Sequence, residues 1–339
     1  MKILHIGSAG AIMIPFVEFV KINFNTQEHV FMLSSENGHL MPEAENVINL
    51  GKLPRALRYA QWLREIYRAE KVILHGLFDS RLIFLLMLQP WLLQKCYWVI
   101  WGGDLYDHQL GQKNFKWKLK QFLKQRIVHK FGHFITHIRG DYELAKKWYG
   151  AKGQWHECFL YTSNLYRDYP IEPKPHDGIH ILLGNSATPT NNHLDALEKL
   201  RPFAHENIKI YCPLSYGDAS YGDFVERTGI AIFGTRFIAL RDFMPFDKYL
   251  EFLSDIDIAI FNHNRQQGIG NITTLLGLGK TVYMNRMVTS FRTFQHLGIE
   301  IGDIENFSVS HKYNSKNAAK VTEYFSLNRL KEQWHAIFK

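Results

Sequence analysis

The chain has 339 residues, 46% of them hydrophobic and 21% charged, a composition that excludes a disordered protein and predicts two folded domains. Its net charge of +8 favours an anionic partner such as a phosphorylated ligand, nucleic acid or lipid head groups. The longest apolar run, Leu82–Leu93, is interrupted by Gln89-Pro90 and is shorter than the roughly 20 residues that a membrane-spanning helix needs.

Strand-like and helix-like segments alternate along the first half of the chain. The first strand begins directly after Met1, so no secretory signal is expected. Strands are predicted at Lys2–Ile6, His29–Leu33, Val72–His75, Tyr97–Trp101, Phe134–Ile138 and Glu157–Phe159. Helices are predicted at Ala56–Ala69, Arg81–Leu88, Phe115–Lys130 and Tyr142–Tyr149.

The segment Tyr169–Asp177 contains three prolines and predicts a semi-rigid linker, after which the same alternation restarts. Strands are predicted at Ile179–Leu183, Ile208–Cys212, Ile230–Phe233, Ile256–Phe261 and Thr281–Asn285. Helices are predicted at Asn192–Leu200, Tyr221–Arg227, Phe246–Leu253, Ile272–Gly277, Ser290–His296 and, as a final amphipathic helix, Ala318–Phe338.

This alternation predicts an α/β fold with mainly parallel sheets. We expect two Rossmann-like domains that face each other across a deep cleft, an N-terminal domain at residues 1–170 and a C-terminal domain at residues 178–317. A helix at residues 318–339 closes the chain, and its return to the N-terminal domain is one expectation. Open α/β sheets bind ligands at the carboxyl ends of their strands, so the functional residues are expected there.

The segment Arg265–Asn271 is the most informative motif, because its two glycines stand between a predicted strand and a predicted helix. Glycine lets backbone N–H groups approach an anion closely, and the following helix adds the positive end of its dipole. The spacing fits neither standard Gly-rich nucleotide fingerprint, since Thr273 stands where Gly-x-Gly-x-x-Gly needs its third glycine. We therefore predict a phosphate site of another kind, formed by Arg265, Gln266, Gln267, Gly268, Ile269, Gly270 and Asn271.

A second candidate anion site follows the first predicted strand of the C-terminal domain. Its residues are Gly184, Asn185 and Ser186 in the loop, and Asn191 and His193 at the start of the next helix. Helix capping alone is the alternative role for Thr190 or Asn191. The two segments would face each other at one sheet edge, which favours a shared diphosphate site that offsets the charge of a leaving group without a metal.

Three residues that follow strands of the N-terminal domain are candidates for proton transfer, and they are Asp104, Asp141 and His75. Gly102 and Gly103 permit a sharp turn that would project Asp104 into the cleft as a general base. Capping of a turn or helix is the alternative for both aspartates, and a structural role is the alternative for the histidine. Arg139 completes this group, because a basic residue at a strand end suits a phosphate or carboxylate.

The segment Lys113–Lys130 has the densest charge. Helical spacing places its apolar side chains on one stripe and its lysines on another, a pattern that suits an anionic membrane surface. The alternative is a core-packing helix whose outer face is solvated. Nucleic acid is not expected as a partner, because no DNA- or RNA-binding motif accompanies the charge. The candidate membrane-facing residues are Lys113, Lys116, Trp117, Lys120 and Lys124.

The cysteines Cys96, Cys158 and Cys212 have no metal-binding spacing and are expected to be buried, reduced thiols in a cytosolic protein. No cluster of His, Asp or Glu at ligand spacing accompanies the phosphate motifs, so neither a metal nor a cofactor is expected.

In this combination and order, the motifs are similar to those of the bacterial TDP-N-acetylfucosamine:lipid II N-acetylfucosaminyltransferases of enterobacterial common antigen synthesis, which are 4-alpha-L-fucosyltransferase-like enzymes. The similarity extends from about Lys71 to Arg286. The residues that carry it are His75-Gly76, Trp101–Tyr106, Arg139–Asp141, Gly184–Ser186 with Asn191 and His193, Arg265–Gly270 and Asn285-Arg286.

The resemblance implies a GT-B fold and transfer of a 4-acetamido-4,6-dideoxyhexose from a TDP-sugar to a saccharide carried on undecaprenyl diphosphate. It also implies a peripheral protein at the cytoplasmic face of the bacterial inner membrane. Two alternatives stay open. The first is another nucleotide-sugar enzyme of the same fold, such as a UDP-sugar transferase or an epimerase, and the second is a non-catalytic anion-binding adaptor at the membrane surface. The loop Ala187–Thr190 is more apolar than the family leads us to expect.

Overall fold

The computed structural model describes residues 2–34, 41, 44–169, 171 and 173–339. The chain folds into two compact units. The first unit consists of Met1–Ser163 and Leu327–Lys339, and the second unit consists of Asn164–Ser326.

A seven-stranded parallel sheet with the order β3-β2-β1-β4-β5-β6-β7 forms the centre of the first unit. Its strands are β1 (Ile3–Ser8), β2 (His29–Ser34), β3 (Val47–Asn49), β4 (Lys71–His75), β5 (Cys96–Val99), β6 (His133–Ile135) and β7 (Gln154–His156). Its helices include α1 (Met13–Asn23), α2 (Arg55–Arg68), α3 (Ser80–Met87), α4 (Gly103–Leu110), α5 (Phe115–Val128) and α6 (Arg139–Tyr149). The central strands are apolar and buried along nearly their whole length because helices cover both sheet faces.

A six-stranded parallel sheet with the order β10-β9-β8-β11-β12-β13 forms the centre of the second unit. Its strands are β8 (Ile179–Leu183), β9 (Ile208–Pro213), β10 (Phe237–Leu240), β11 (Ile258–Phe261), β12 (Thr281–Met284) and β13 (Gly302–Asp303). Its helices are α7 (His193–Leu200), α8 (Ala219–Phe233), α9 (Phe246–Ser254), α10 (Ile269–Gly277), α11 (Thr289–His296) and α12 (Ser315–Tyr324). The strand order reverses between β8 and β11, and such a switch point opens a crevice at the carboxyl ends of those strands.

The last helix, α13 (Leu327–Phe338), belongs to the first unit. The indole Nε1 of Trp334 donates to the carbonyl of Leu160 at 2.8 Å, and Lys71 Nζ donates to the carbonyl of Ile337 at 2.8 Å. The prediction of one continuous helix over Ala318–Phe338 is therefore wrong. Two helices, α12 and α13, occupy that segment, and the chain leaves the second unit and re-enters the first between them.

Two predicted strands are also wrong. Ile230–Phe233 is the end of α8, in which the buried positions recur at helical spacing: Gly222, Val225, Gly229 and Phe233. The apolar run Ile230–Phe233 resembles a strand by itself, but it continues the helical pattern of the preceding residues of α8. Glu157–Phe159 follows strand β7 rather than forming it. Within the described residues, β3, β7, β10, β13, α1 and α4 overlap none of the predicted elements.

The boundary between the units precedes the predicted proline-rich linker, because the chain from Asn164 onward already packs in the second unit. The backbone N–H of Tyr166 donates to the carbonyl of Phe325 at 3.0 Å, and the N–H of Lys174 donates to Asp255 Oδ1 at 2.8 Å. Pro170 and Glu172 of that linker lie outside the described residues.

Candidate functional site

The two predicted phosphate-binding segments lie together at the carboxyl edge of the second sheet. The loop after β8 contains Gly184–Ser186, and the loop after the adjacent strand β11 contains Arg265–Gly268. Thr190 Oγ1 donates to Gln267 Oε1 at 2.6 Å, and the N–H of Asn264 donates to the carbonyl of Thr190 at 3.0 Å. Residues more than 70 positions apart in sequence thus form one polar surface.

Asn191 holds the loop after β8 in shape from the inside. Its amide Nδ2 donates to the carbonyl of Ser186 at 3.0 Å and to Thr188 Oγ1 at 2.7 Å. Its Oδ1 accepts the backbone N–H of Asn185 at 3.0 Å and lies 3.1 Å from His263 Nε2. Because Asn191 is buried and uses both ends of its amide, the geometry favours support of the loop over direct contact with a ligand.

Two glycines in these loops have left-handed backbones that a side chain would disturb. Gly184 has φ of +71°, and a Cβ there would lie 2.5 Å from His193 Nε2. Gly268 has φ of +67°, and its Cβ would lie 3.1 Å from His263 Cε1. Gly268 is the residue immediately before α10, so it brings the chain into the helix with the first N–H groups directed out of the helix end.

The start of α10 has the two features that the sequence predicts for an anion site, namely backbone N–H groups at a helix end and a nearby arginine. The N–H groups of Ile269, Gly270 and Asn271 occupy the first turn, where a helix has no carbonyl of its own to bond them. Arg265 stands a few residues upstream and donates from Nη1 to the carbonyl of Gln266 at 3.0 Å. Partial positive charge from the helix and full charge from the guanidinium therefore occur in one short segment.

Two buried histidines underlie this surface in their neutral form. Burial lowers the pKa of His193 to about 4, and burial, followed by the nearby Arg265 and His193, lowers that of His263 to about 3. His193 lies 3.2 Å through Nδ1 from the hydroxyl of Tyr221. Neutral rings here add no charge to the site, so its positive potential comes from Arg265 and the helix end.

A pocket of about 240 Å³ adjoins the loops and shares Asn185 and Asn271 with them. Its walls are largely apolar, and the other lining residues are Pro213, Ser215, Tyr216, Leu240, Asp242, Phe243, Met244, Phe246 and Tyr249. Tyr216 Oη accepts the amide of Asn185 at 3.1 Å, which joins the pocket to the glycine loop. The arrangement can hold a flat apolar group beside a charged one.

Sequence reasoning missed this pocket because it misplaced the strand that leads into it. The true strand is β10, and the loop after it, Arg241–Pro245, forms one wall. Arg241 anchors that loop to α8 by donating to Glu226 Oε2 from Nε at 2.9 Å and to Asp223 Oδ1 from Nη2 at 2.8 Å. The cluster of Phe243, Met244 and Phe246 after an apolar run was the available signal.

In the first unit, Asp104 is fully buried and its carboxylate is saturated with donors. Its Oδ2 accepts the N–H of Leu77 at 3.0 Å and the indole N–H of Trp98 at 2.6 Å. Its Oδ1 accepts the N–H groups of Trp101 and Leu105, each at 3.0 Å. Such a carboxylate ties three segments together, and a substrate hydroxyl could reach it only by displacing one of these donors. The geometry favours the structural alternative over the general base.

The other two candidates for proton transfer are buried as well. Asp141 accepts the hydroxyl of Tyr106 at 3.2 Å within the first turn of α6. His75 lies 2.6 Å through Nδ1 from Tyr161 Oη and 3.1 Å through Nε2 from His5 Nδ1, and burial lowers its pKa to about 3. Arg139, in contrast, is on the surface, stacked 4.5 Å from the ring centre of Trp155 and paired with Glu143 at 3.1 Å.

An accessible carboxylate does occur at this sheet edge, and sequence reasoning missed it. A small pocket at the ends of β1, β2 and β4 is lined by Ser8, Ser34, His75, Phe78 and Asp79, among others. The Asp79 side chain is 39% exposed, and its Oδ1 accepts the N–H of Arg81 at 2.8 Å as the N-cap of α3. The signal was its position four residues after His75, at the strand end.

The lysine segment is oriented differently from the prediction. Lys124 is fully buried, where its Nζ donates to the carbonyl of Asp104 at 2.5 Å and lies 5.0 Å from the ring centre of Tyr149. Burial lowers its pKa to about 8, although the Asp104 carboxylate opposes this shift. Lys120 pairs with Asp107 at 3.2 Å, and Trp117 donates from Nε1 to the Asp107 carbonyl at 2.7 Å. Of the five candidates for the membrane face, Lys113 and Lys116 are exposed, Trp117 and Lys120 are partly buried, and Lys124 is buried.

Within the described part of the chain, no helix is long and apolar enough to span a membrane, and no group of three or more His, Cys, Asp or Glu side chains could hold a metal ion. Asp255 and Asp257, an Asp-x-Asp pair, lie at the opposite edge of the second sheet from the phosphate loops, where Asp257 Oδ2 accepts the N–H of His180 at 2.9 Å.

The two Rossmann-like units with parallel sheets have the GT-B fold, which solved glycosyltransferases share. WaaB, a lipopolysaccharide outer core galactosyltransferase, has a TM-score of 0.67 to this chain, with 14% identity and coverage of 100% of this chain and 99% of that one. HepE from Anabaena, solved with UDP and glucose, has a TM-score of 0.65, 12% identity and 99% coverage of both chains. A glycosyltransferase from Rickettsia africae has a TM-score of 0.65, 14% identity and coverage of 100% and 98%.

The particular family follows from the sequence. The family model described as 4-alpha-L-fucosyltransferase, glycosyl transferase group 56, matches residues 14–314, so the chain belongs to this family. The family suspected from the motifs, the GT-B fold and the assignment as a glycosyltransferase are thereby confirmed.

Proposed function

We propose that this glycosyltransferase moves a 4-acetamido-4,6-dideoxyhexose from a TDP-sugar to a saccharide linked to undecaprenyl diphosphate. We further propose that it works as a peripheral protein at the cytoplasmic face of the bacterial inner membrane, in the synthesis of a surface polysaccharide. The family match supports the kind of reaction, and the motif resemblance is the source of the donor, the acceptor and the location.

One observation carries the donor assignment, namely the continuity of an apolar pocket with an anion-binding helix end. The diphosphate would lie against the N–H groups of Ile269, Gly270 and Asn271 and near Arg265. The nucleobase would then enter the adjoining pocket, where Tyr216 and Phe246 offer aromatic surface for stacking. As the glycosidic bond breaks, charge accumulates on the leaving diphosphate, and these donors would stabilise it without a metal.

The apolar pocket wall favours thymine over uracil. Leu240, Met244 and Phe246 line the pocket, and the 5-methyl group of thymine would be buried among such side chains. Burial of one methyl group contributes roughly 0.8 kcal/mol, which corresponds to about fourfold tighter binding of TDP than of UDP. A UDP-sugar transferase is the second candidate, because the structurally similar HepE was solved with UDP and glucose.

For the acceptor, we propose Asp79 rather than Asp104 as the group that receives the proton of the attacking hydroxyl. Asp79 is exposed in a pocket at the carboxyl edge of the first sheet, as a group that contacts substrate must be. Asp104, Asp141 and His75 lie beneath this edge and would shape it.

Isothermal titration of the full chain with TDP and UDP tests the donor site. TDP is expected to bind about fourfold more tightly than UDP. Arg265→Ala is expected to weaken TDP binding at least about tenfold, because a charge-assisted hydrogen bond is lost. Arg227→Ala, on the exposed side of α8, is the matched control and should leave the affinity unchanged.

Transfer of labelled sugar from the TDP-sugar to a lipid-linked acceptor then tests the reaction itself. Turnover in the presence of a chelator would support the metal-free proposal. Tighter binding of UDP than TDP would favour the UDP-sugar alternative, and nucleotide binding without turnover on any lipid-linked saccharide would favour the non-catalytic adaptor.

A further inference from the structure

Helix α5 presents apolar side chains to solvent along one stripe. Phe115 is 79% exposed, and Leu119 and Phe122, one and two turns further on, are 49% and 50% exposed. The guanidinium of Arg126 continues the stripe and stacks 4.9 Å from the Phe122 ring centre. Amphipathic helices normally bury such residues, either within the fold or against a partner. Within the described chain this face of α5 is left exposed, which indicates that a partner outside the chain covers it.

Helix α3 and the turn after it carry a second apolar stripe. Phe84 and Leu88 are about half exposed at helical spacing, and Trp91 is 62% exposed. Tyr67 at the end of α2 accepts the Trp91 indole N–H at 3.2 Å and donates to Gln89 Oε1 at 2.6 Å, which holds the indole at the surface. The indole is therefore placed by the fold rather than left to move freely.

The two stripes lie on the same side of the first unit. Leu82 and Leu86 on the inner face of α3 share one hydrophobic core with Leu123 and Ile127 of α5. The helices also contact each other directly. Because both inner faces point at the same sheet face, both outer faces point away from it.

The charge of this region selects the kind of partner. Residues 108–140 contain eight Lys or Arg and no Asp or Glu, and residues 80–103 likewise contain no acid. The exposed cations on α3, on α5 and within two residues of either end of α5 are Arg81, Lys113, Lys116, Lys118, Arg126 and Lys130. A second copy of the chain would bring like charges together, whereas an anionic bilayer complements the cations and receives the aromatic rings at its interface.

We propose that the outer faces of α3 and α5, together with the turn around Trp91, form a docking surface for an anionic lipid bilayer. Phe115, Phe122 and Trp91 enter the interface, and the cations contact the lipid head groups. This deepens the proposed function, because the lipid-linked acceptor would be held in that bilayer. The surface replaces the lysine stripe predicted from sequence, of which Lys124 is buried.

Co-sedimentation of the full-length protein with vesicles tests the surface. The protein is expected to bind vesicles of equimolar phosphatidylcholine and phosphatidylglycerol, to bind phosphatidylcholine vesicles much more weakly, and to dissociate as salt is added. Phe115→Ser combined with Phe122→Ser should lower the partition coefficient at least about tenfold. Lys116→Gln and Arg126→Gln should each lower it about fivefold.

Phe224→Ser combined with Ile230→Ser, two half-exposed apolar residues of α8 in the second unit, is the matched control and should partition like the wild type. Equal partitioning of the wild type and the Phe115/Phe122 variant would overturn the proposal. The proposal would also be overturned if the wild type did not bind vesicles but formed a dimer, and if the Phe115/Phe122 variant were monomeric. The surface would then join two copies of the chain. TDP titration of the same samples separates the two ideas, because failure to bind TDP bears on the donor site alone.

Discussion

Asp104 and Asp79 lie near one another in sequence and differ in what surrounds their carboxylates. Asp104 is saturated by four N–H donors in a buried site, and Asp79 is exposed with one N–H donor to its Oδ1. A buried carboxylate with four donors contributes to stability, since removal of an acceptor leaves donors unsatisfied. An exposed carboxylate at a helix N-cap can instead accept a proton at little structural cost.

Replacement of each aspartate by asparagine separates these roles. In Asp104→Asn, the new NH₂ group faces N–H donors, so the free energy of unfolding is expected to fall by about 1–3 kcal/mol with turnover per folded molecule retained. In Asp79→Asn, asparagine still caps α3, so stability should stay within about 0.5 kcal/mol while kcat falls at least about a hundredfold. Denaturant unfolding and initial rates measure both quantities. The reverse pattern would return Asp104 to the role of base.

At the scale of elements, a chain of buried hydrogen bonds crosses three strands of the first sheet. Trp101 Nε1 donates to Tyr161 Oη at 2.7 Å, and Tyr161 Oη lies 2.6 Å from His75 Nδ1. His75 Nε2 lies 3.1 Å from His5 Nδ1, and His5 Nε2 lies 3.0 Å from His29 Nδ1. When the Tyr161 hydroxyl donates to His75 Nδ1, every bond of the chain is satisfied with each neutral histidine protonated on Nε2.

His5→Phe is expected to break this chain in its middle. The substitution leaves a donor on His75 and an acceptor on His29 without a partner, each at a cost of about 1–3 kcal/mol. Amide hydrogen exchange in β1, β2 and β4 should therefore become faster by at least about tenfold. His205→Phe, at an exposed position of the second unit, is the control and should change none of these rates. Unchanged protection in β1 would show that the chain does not stabilise the sheet.

The elements also show where local pattern succeeds. Strands β8 and β12 and helices α2 and α3 lie within a residue or so of their predictions, because each is an uninterrupted periodic run. The face of α5 is a different matter. Its sequence alone does not decide which side of the helix packs against the core. In the structure the buried side carries Lys124, which contacts the carbonyl of Asp104 and the rings of Trp98 and Tyr149. That choice depended on residues that only the tertiary structure brings near.

For the whole molecule, buried neutral histidines make stability depend on pH. Burial lowers the pKa of His29, His156 and His193 to about 4 and that of His75, His137 and His263 to about 3. The pKa of His5 is also well below its usual value, first through burial and then through His29 and His75. Below pH 6.5 the unfolded chain therefore binds protons that the folded chain does not, so stability is full above that pH and is lost as pH falls towards 4.

Each such histidine weakens the fold by up to about 1.4 kcal/mol per pH unit below its unfolded pKa. Five of the seven belong to the first unit, so its amide protection should fall more steeply than that of the second unit between about pH 7 and about pH 5. Thermal unfolding measures the stability of the protein at each pH, and hydrogen exchange with mass spectrometry compares the amide protection of the two units. Stability that is level or rises on acidification over this range would contradict the expectation.

Local sequence by itself predicted the α/β alternation and the candidate anion-binding segments, because periodicity and glycines at strand ends and helix starts act over a few residues. The order of the motifs carried the resemblance to the family. The tertiary structure decided which of those residues are accessible. Asp104 and Lys124 are residue types that often act in functional sites, but both are buried here and stabilise the fold. Asp79, the pocket beside Tyr216 and the outer face of α5 are accessible instead. Burial depends on contacts between distant segments, and no pattern within one segment contains them.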